Sequence, residues 1–265
     1  MIKIYHESPT SIFERVQDYT DGDYALVHLF EENEVYFNQF LQAVEDGREV
    51  ILDNSIFELG KAFDASKFAE WVTKLKPTYY IIPDVLEDAQ GTIDNYDNWV
   101  KTYIDLPGKT MAVAQGNTYE EFVRCYQYLV GKVDKICISF DYCFFNDWLK
   151  NCELPTKYHE WMFGRQILLT KMRNDGILRE DVPHHLLGVG LPQEFQAYRD
   201  YAFIDSLDTS NPVVHGILDI PYEYFGLDDK KSTKLFTLID TDVEKHWPLI
   251  MKNMASFYEL INGKF

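Results

Sequence analysis

Basic side chains are scarce in this sequence: 25 Lys and Arg stand against 43 Asp and Glu in 265 residues, a formal charge of −18. Taken alone, that deficit argues against a nucleic-acid partner, because phosphate neutralisation by Lys and Arg supplies most of such affinity. Cysteine is sparse too. Cys125, Cys137, Cys143 and Cys152 match no paired C-x2-C zinc spacing and read as buried free thiols, and a disulfide framework is not expected at this size in a reducing compartment. No stretch approaches the roughly 18 consecutive apolar residues of a membrane span. The N-terminus MIKIYHESPT lacks the apolar core of a signal peptide, so a soluble, cytoplasmic protein without membrane contact is expected. Neither GxGxxG nor GxxxxGK[ST] follows any apolar run, which counts against a bound nucleotide cofactor. No Pro/Gly/Ser-rich linker divides the chain, so residues 1–265 are read as one domain.

What the sequence has is a core. Apolar residues make up 46% and aromatics 15%, which excludes the low-hydrophobicity signature of disorder. A chain of this length buries roughly 70–75% of its unfolded surface. Short β-branched or aromatic runs alternate with segments of helical period, the pattern of βα units around parallel strands. Eight strands are expected: 2–5, 24–29, 50–53, 79–83, 111–114, 135–139, 185–189 and 202–205. Asp64 precedes an i, i+3, i+4 apolar pattern through Phe68, Trp71 and Val72. Thr118 and Glu121 form a capping-box pattern ahead of Phe122, Cys125, Tyr126 and Leu129. Pro192 opens a further helix. The predicted fold is an α/β, TIM-type (β/α)8 barrel with an extra helical insertion around 146–181 and a C-terminal helix over about 242–261; a doubly wound open sheet is the alternative.

In such a barrel chemistry sits at the C-terminal ends of the strands. Six apolar runs end in polar groups or glycine: Leu52-Asp53-Asn54, Pro83-Asp84, Ala114-Gln115-Gly116, Ser139-Phe140-Asp141, Gly188-Val189-Gly190 and Ile204-Asp205-Ser206. Asp53, Asp84 and Gln115 recur at intervals of 31 residues, as successive βα units would place them. Each position alone reads as a turn former or cap; several on one rim point to function. Two carboxylates facing a pocket suit glycosidic bond cleavage, one as nucleophile or charge stabiliser and one as acid and base. A carboxylate with a primary amide can read a guanine-like base. Asp53 and Asp205 fit the first task, Asp84 and Gln115 the second.

Leu52-Asp53-Asn-Ser-Ile-Phe57, Pro83-Asp84, Ala114-Gln115-Gly116, His184-His-Leu-Leu-Gly188-Val-Gly190-Leu-Pro192 and Phe203-Ile-Asp205-Ser resemble, in order, the motifs of the tRNA-guanine transglycosylase superfamily. The resemblance spans about 50–212 and is nearest to the phage-type DNA 7-deazaguanine transglycosylases. It implies exchange of guanine for a 7-deazaguanine base of the preQ0 type, through a covalent aspartyl-glycosyl intermediate and with no cofactor. It also implies roles: Asp205 as nucleophile, Asp53 as acid and base, Phe57 stacking on the base, Asp84 and Gln115 reading its edge, and Gly116, Ser139 and Gly190 around it. The partners implied are DNA, or alternatively tRNA, and a free 7-deazaguanine base; a homodimer is left open. A catalytically inert nucleic-acid-binding barrel and a nucleosidase or glycoside hydrolase are the other readings.

The departures from the family pattern favour DNA. No Cys follows Cys152, so the structural zinc of the tRNA enzymes is not expected and no metal site is assigned. Ser206-Leu-Asp208-Thr-Ser-Asn211-Pro lacks the family's tRNA-holding arginines, and Ser139-Phe140 replaces its Gly-Gly. Asp208 is a rival to Asp205 and is read here as capping the following loop. Asp141 is open between pocket and helix start. His184 and His185 read as packing or supporting groups rather than metal ligands. The acidity is concentrated in residues 1–60, with 13 Asp/Glu and 3 Lys/Arg. That leaves Lys157, Arg165, Lys171, Arg173 and Arg179, and a second cluster of Lys230, Lys231 and Lys234, as backbone contacts or, equally, solvated faces. Weak, strongly salt-sensitive DNA binding is expected, with recognition centred in the base pocket.

Overall fold

β-branched runs and capped amphipathic segments alternate along the chain because each supplies half of a βα unit. The computed structural model describes residues 1–222, 238 and 242–263. Its strands are β1 Lys3–His6, β2 Asp23–Leu26, β3 Val50–Asp53, β4 Tyr79–Ile81, β5 Lys109–Val113, β6 Lys135–Ile138, β7 His184–Leu186 and β8 Ile204–Thr209. All neighbours pair in parallel in the order β1-β8-β7-β6-β5-β4-β3-β2. A parallel bridge from Tyr5 to Gly22 brings β1 back to the start of β2, so the sheet curls into a nearly closed (β/α)8 barrel of TIM type.

Helices surround it: α1 Phe13–Val16, α2 Val27–Glu32, α3 Glu34–Glu45, α4 Ile56–Leu59, α5 Ala65–Leu75, α6 Ala89–Thr102, α7 Tyr119–Leu129, α8 Phe145–Leu149, α9 Lys157–Asn174, α10 Asn211–Ile217 and α11 Trp247–Asn262. Their starts are set by side-chain caps. Asn33 accepts from Tyr36 N–H, Asp64 from Ser66 and Lys67 N–H, Asp88 from Gly91 N–H and Thr118 from Glu121 N–H. Glu121 reaches back to Asn117 N–H, one residue before the cap, a shifted version of the expected box. On α7, Phe122, Cys125, Tyr126 and Leu129 are all fully buried against the strands. Removing one such side chain from water is worth about 1.5–3 kcal/mol. The expected insertion is α8 and α9, and the stretch opened by Pro192 is a 3-10 helix, Pro192–Ala197.

Two features fix the last strand and the closure of the barrel. First, β8 runs to Thr209, four residues beyond its expected end. Its polar residues break the apolar pattern because Ser206 and Asp208 bond to His185 of β7 rather than packing in an apolar layer. Ile204 pairs with His184 and Ser206 with His185, leaving Asp205 as the extra residue of a β-bulge. Second, the chain ends clasp: Ile2 N–H donates to Asn262 Oδ1 at 2.8 Å, and Asn262 Nδ2 donates to Ile2 C=O at 2.9 Å.

Candidate active site

A cavity of about 220 Å³ opens at the C-terminal ends of the strands. Asp53, Phe57, Asp84, Gln115, Ser139 and Gly190, named from sequence, all line it; so does Asp208. Among the described residues no Lys or Arg lines it, whereas Glu7, Asp53, Glu58, Asp84 and Asp208 do.

Asp53 ends β3. Its Oδ2 accepts from Tyr24 Oη at 2.8 Å and its Oδ1 from Ser55 N–H at 2.5 Å. Ser55 holds this turn with φ +59°, a strained conformation for a residue with a Cβ. An edge of the carboxyl reaches the cavity, yet burial first, and then the negative charge of Glu58, push its pKa well above 3.8. The bonds from Tyr24 and Ser55 pull the other way and do not win. A carboxyl shifted in that direction holds its proton more firmly than a free one, as a general acid requires.

Asp84 and Gln115 meet as expected, but they also bond to each other. Gln115 Nε2 donates to Asp84 Oδ2 at 2.7 Å, and Asn54 Nδ2 donates to Asp84 Oδ1 at 2.8 Å. Gln115 Oε1 accepts from Glu87 N–H at 3.2 Å. The amides are thereby locked in orientation, and each carboxylate oxygen keeps a second acceptor site. Burial raises the Asp84 carboxyl, against the lowering effect of the two amides.

Over this floor stands an aromatic wall. Phe57, about half exposed, meets Phe140 edge-on with ring centroids 5.0 Å apart; Phe140 meets Trp161 at 4.7 Å and Trp161 meets Tyr158 at 5.0 Å. Gly188 makes the wall possible. It sits at φ +60°, and a Cβ there would fall 2.3 Å from the Phe140 ring.

Asp205 is not part of this site. It lies at the opposite, N-terminal end of the barrel, where Lys135 Nζ bonds to its Oδ2 at 2.6 Å. Burial opposes its charge, yet the hydrogen bond and charge of Lys135 hold its carboxyl below 3.8. The carboxylate of β8 that faces the cavity is Asp208, 4% exposed and three residues further on, roughly 10 Å along the strand. Its Oδ1 lies 3.0 Å from His185 Nε2, and Gly188 N–H donates to both oxygens at 3.2 Å. The assignment of Asp208 to a loop cap is therefore corrected.

Other expectations change as well: of the four free thiols only Cys125 and Cys137 are buried, Cys143 is half-buried and Cys152 is exposed. Gly116 is outside the cavity lining; a Cβ there would collide with Phe122 N at 2.3 Å, so it permits close approach to α7. Arg165 is no backbone contact: it is 1% exposed, paired through Nε with Glu194 at 2.6 Å, and donates to the carbonyls of Ile138 and Leu187. Lys171 and Arg173 sit at the C-terminal end of α9, about 20 Å from the cavity-lining Tyr158 at its start. They pair with Asp175 and Glu180. Lys230, Lys231 and Lys234 lie outside the described residues. Asp141 faces Lys157 at 3.7 Å outside the cavity lining. Sequence reasoning gave no site role to Tyr24, Tyr158 or Trp161, and placed Asn54 at a strand end without assigning it one. Asp208 carried a signal, since it shares a strand face with Ser206 by the two-residue period.

Among the described residues no group of three His, Cys, Asp or Glu is arranged to hold a metal ion, and no helix is long and apolar enough to cross a membrane. The chain matches no family model and no curated protein.

Proposed function

We propose that this protein is a base-exchanging transglycosylase that inserts a 7-deazaguanine base into DNA, with Asp208 in place of Asp205 as nucleophile. The observation that carries the reading is the meeting of Asp208, Asp53 and the Asp84–Gln115 pair in one small cavity. The motif resemblance supplies the substrate class.

The chemistry proceeds from the residues. A carboxylate oxygen of Asp208 attacks C1′ of the nucleotide; the C1′–N9 bond breaks and its electron pair moves onto guanine, which takes the proton of Asp53. The incoming base then gives its proton to the Asp53 carboxylate and attacks C1′, and the bond to Asp208 breaks. Asp84 accepts from the ring N–H and exocyclic amine of the base. The remaining Gln115 N–H donates to its carbonyl oxygen. Phe57 covers the ring face. A cavity lined, among the described residues, by carboxylates and no Lys or Arg repels phosphate, so a flipped or unpaired base would enter while the backbone stays at the mouth.

The test is exchange of labelled guanine out of DNA and tRNA offered side by side. Asp208→Asn should abolish exchange and covalent trapping, a loss of roughly 10³-fold or more, while Asp205→Asn keeps both. Exchange retained in Asp208→Asn overturns the reading. Release of base without replacement identifies a nucleosidase, the reading that a cavity with several carboxylates favours next.

A further inference from the structure

Behind Asp208 the barrel interior holds a polar chain whose other members the proposed chemistry does not use. Asp208 Oδ1 lies 3.0 Å from His185 Nε2, His185 Nδ1 lies 2.9 Å from Ser206 Oγ, Lys135 Nζ lies 3.0 Å from Ser206 Oγ, and the same Nζ bonds to Asp205 at 2.6 Å. The chain links the cavity to the far end of the barrel through three side chains that are at most 1% exposed. An apolar interior would be the cheaper solution, because buried polar groups are costly unless fully bonded.

Its polarity can be deduced from the donors available. Lys has only N–H donors. One points at Asp205, one at Ser206 Oγ, and Nζ lies 4.4 Å over the Tyr79 ring centroid. Ser206 Oγ therefore accepts from Lys135 and has its own O–H left to give, either to the Asp205 carboxylate that Lys135 already holds or to His185 Nδ1 at 2.9 Å; only the second leaves an Nε2–H to face the Asp208 carboxylate. Nδ1 then carries no proton. In neutral imidazole the proton must sit on Nε2, pointing at Asp208. The opposite tautomer would set a bare ring nitrogen against a carboxylate oxygen. Burial lowers the pKa of the ring from 6.5 against the hydrogen bond and charge of Asp208, and the charge of Lys135 adds to the lowering. The groups around the ring are Tyr24, parallel at 6.0 Å, Tyr5 edge-on at 6.1 Å and Cys137, its register partner on β6.

We propose that Lys135 and Ser206 are positioning residues that fix His185 as its Nε2–H tautomer and so give the cavity carboxylate Asp208 a fixed donor. Two N–H groups, from His185 and Gly188, then hold the Asp208 oxygens in one orientation. The bulge at Asp205 turns that side chain to anchor the far end of the chain.

The experiment is ¹⁵N NMR of histidine-labelled protein, with the His185 signals identified by their loss in His185→Gln, together with exchange kinetics. The kinetic arm rests on the transglycosylase reading; the tautomer arm does not. Wild-type His185 should show one protonated nitrogen, Nε2. Ser206→Ala should mix the tautomers and lower kcat about tenfold, the scale of one net hydrogen bond, with KM little changed. Ser206→Thr, which keeps the hydroxyl, should restore both. Lys135→Met should move the tautomer in the same direction and serves if Ser206→Ala does not fold. A proton on Nδ1 in the wild type, an unmixed tautomer in both variants, or mixing without loss of kcat overturns the proposal. Absence of base exchange in the wild type overturns the transglycosylase function and leaves the tautomer to decide the wiring.

Discussion

Asp205 and Asp208 stand three residues apart on one strand and serve opposite ends of the barrel. Asp205 is held by Lys135 and Asp208 faces the cavity. Replacing Asp205 leaves Lys135, 1% exposed, without its carboxylate. Asp205→Ala is expected to cost about 1–2 kcal/mol of stability, less than a fully buried pair because the carboxylate is itself 38% exposed and screened by solvent, read by urea denaturation, with exchange by the folded fraction retained.

The same pair has a pH signature. The Asp205 carboxyl is held below 3.8 in the folded protein, so its contribution is present above 3.8 and is lost as pH falls through the folded value. The stability gap between wild type and Asp205→Asn should be constant above about pH 5 and shrink progressively below 3.8. A gap that grows on acidification contradicts the assignment.

Asp53 behaves in the opposite sense. Its pKa is raised, with Glu58 the second cause after burial. An acid of that kind loses its proton on the alkaline side of the exchange profile. Glu58→Gln removes a negative neighbour, eases ionisation of Asp53, and should shift the alkaline limb of the pH–rate profile to lower pH. A limb that stays put or moves up excludes Asp53 as its source.

Arg165 and Glu194 form a buried ion pair, 1% and 2% exposed. Arg165→Ala should cost about 3–5 kcal/mol, measured by denaturant midpoint. Lys171→Ala with Arg173→Ala, far from the cavity and already ion-paired, should leave DNA affinity within about twofold, by titration at fixed salt.

Gly188 sits at φ +60° with Phe140 against it. Gly188→Ala adds left-handed strain of about 1–2 kcal/mol and pushes Phe140 aside. Exchange kcat should fall further than that loss of stability alone implies, because the N–H that binds Asp208 moves with the backbone. Thermal unfolding and kinetics on one preparation compare the two.

The barrel was legible because its strand cores are continuous apolar runs ending at Asp53, Asp84 and Gln115, where the chain turns outward and the polarity changes at once. The C-terminal half of β8 was not, because its polar residues satisfy one another inside the barrel. Ser206 and Asp208 bond to His185, so the strand lacks the apolar run that marks its neighbours. With the strand ended early, Asp205 took the place that belongs to Asp208. Arg165 misled for a related reason: its charge suggested surface, but Glu194, distant in sequence, closes over it. Such pairings are decided by packing between elements, and no local period announces them.

The pairing of β1 with β8 also sets an order of assembly. Asp208 lies in register with Tyr5, and Ile2 is clasped by Asn262, so the first strand waits for the last before its outer edge is bonded. During synthesis Asp53, Asp84 and Gln115 emerge long before β8 does. The residues that would read the base therefore wait on an unclosed sheet, and the carboxylate proposed to attack the sugar joins them last, when β8 meets β1.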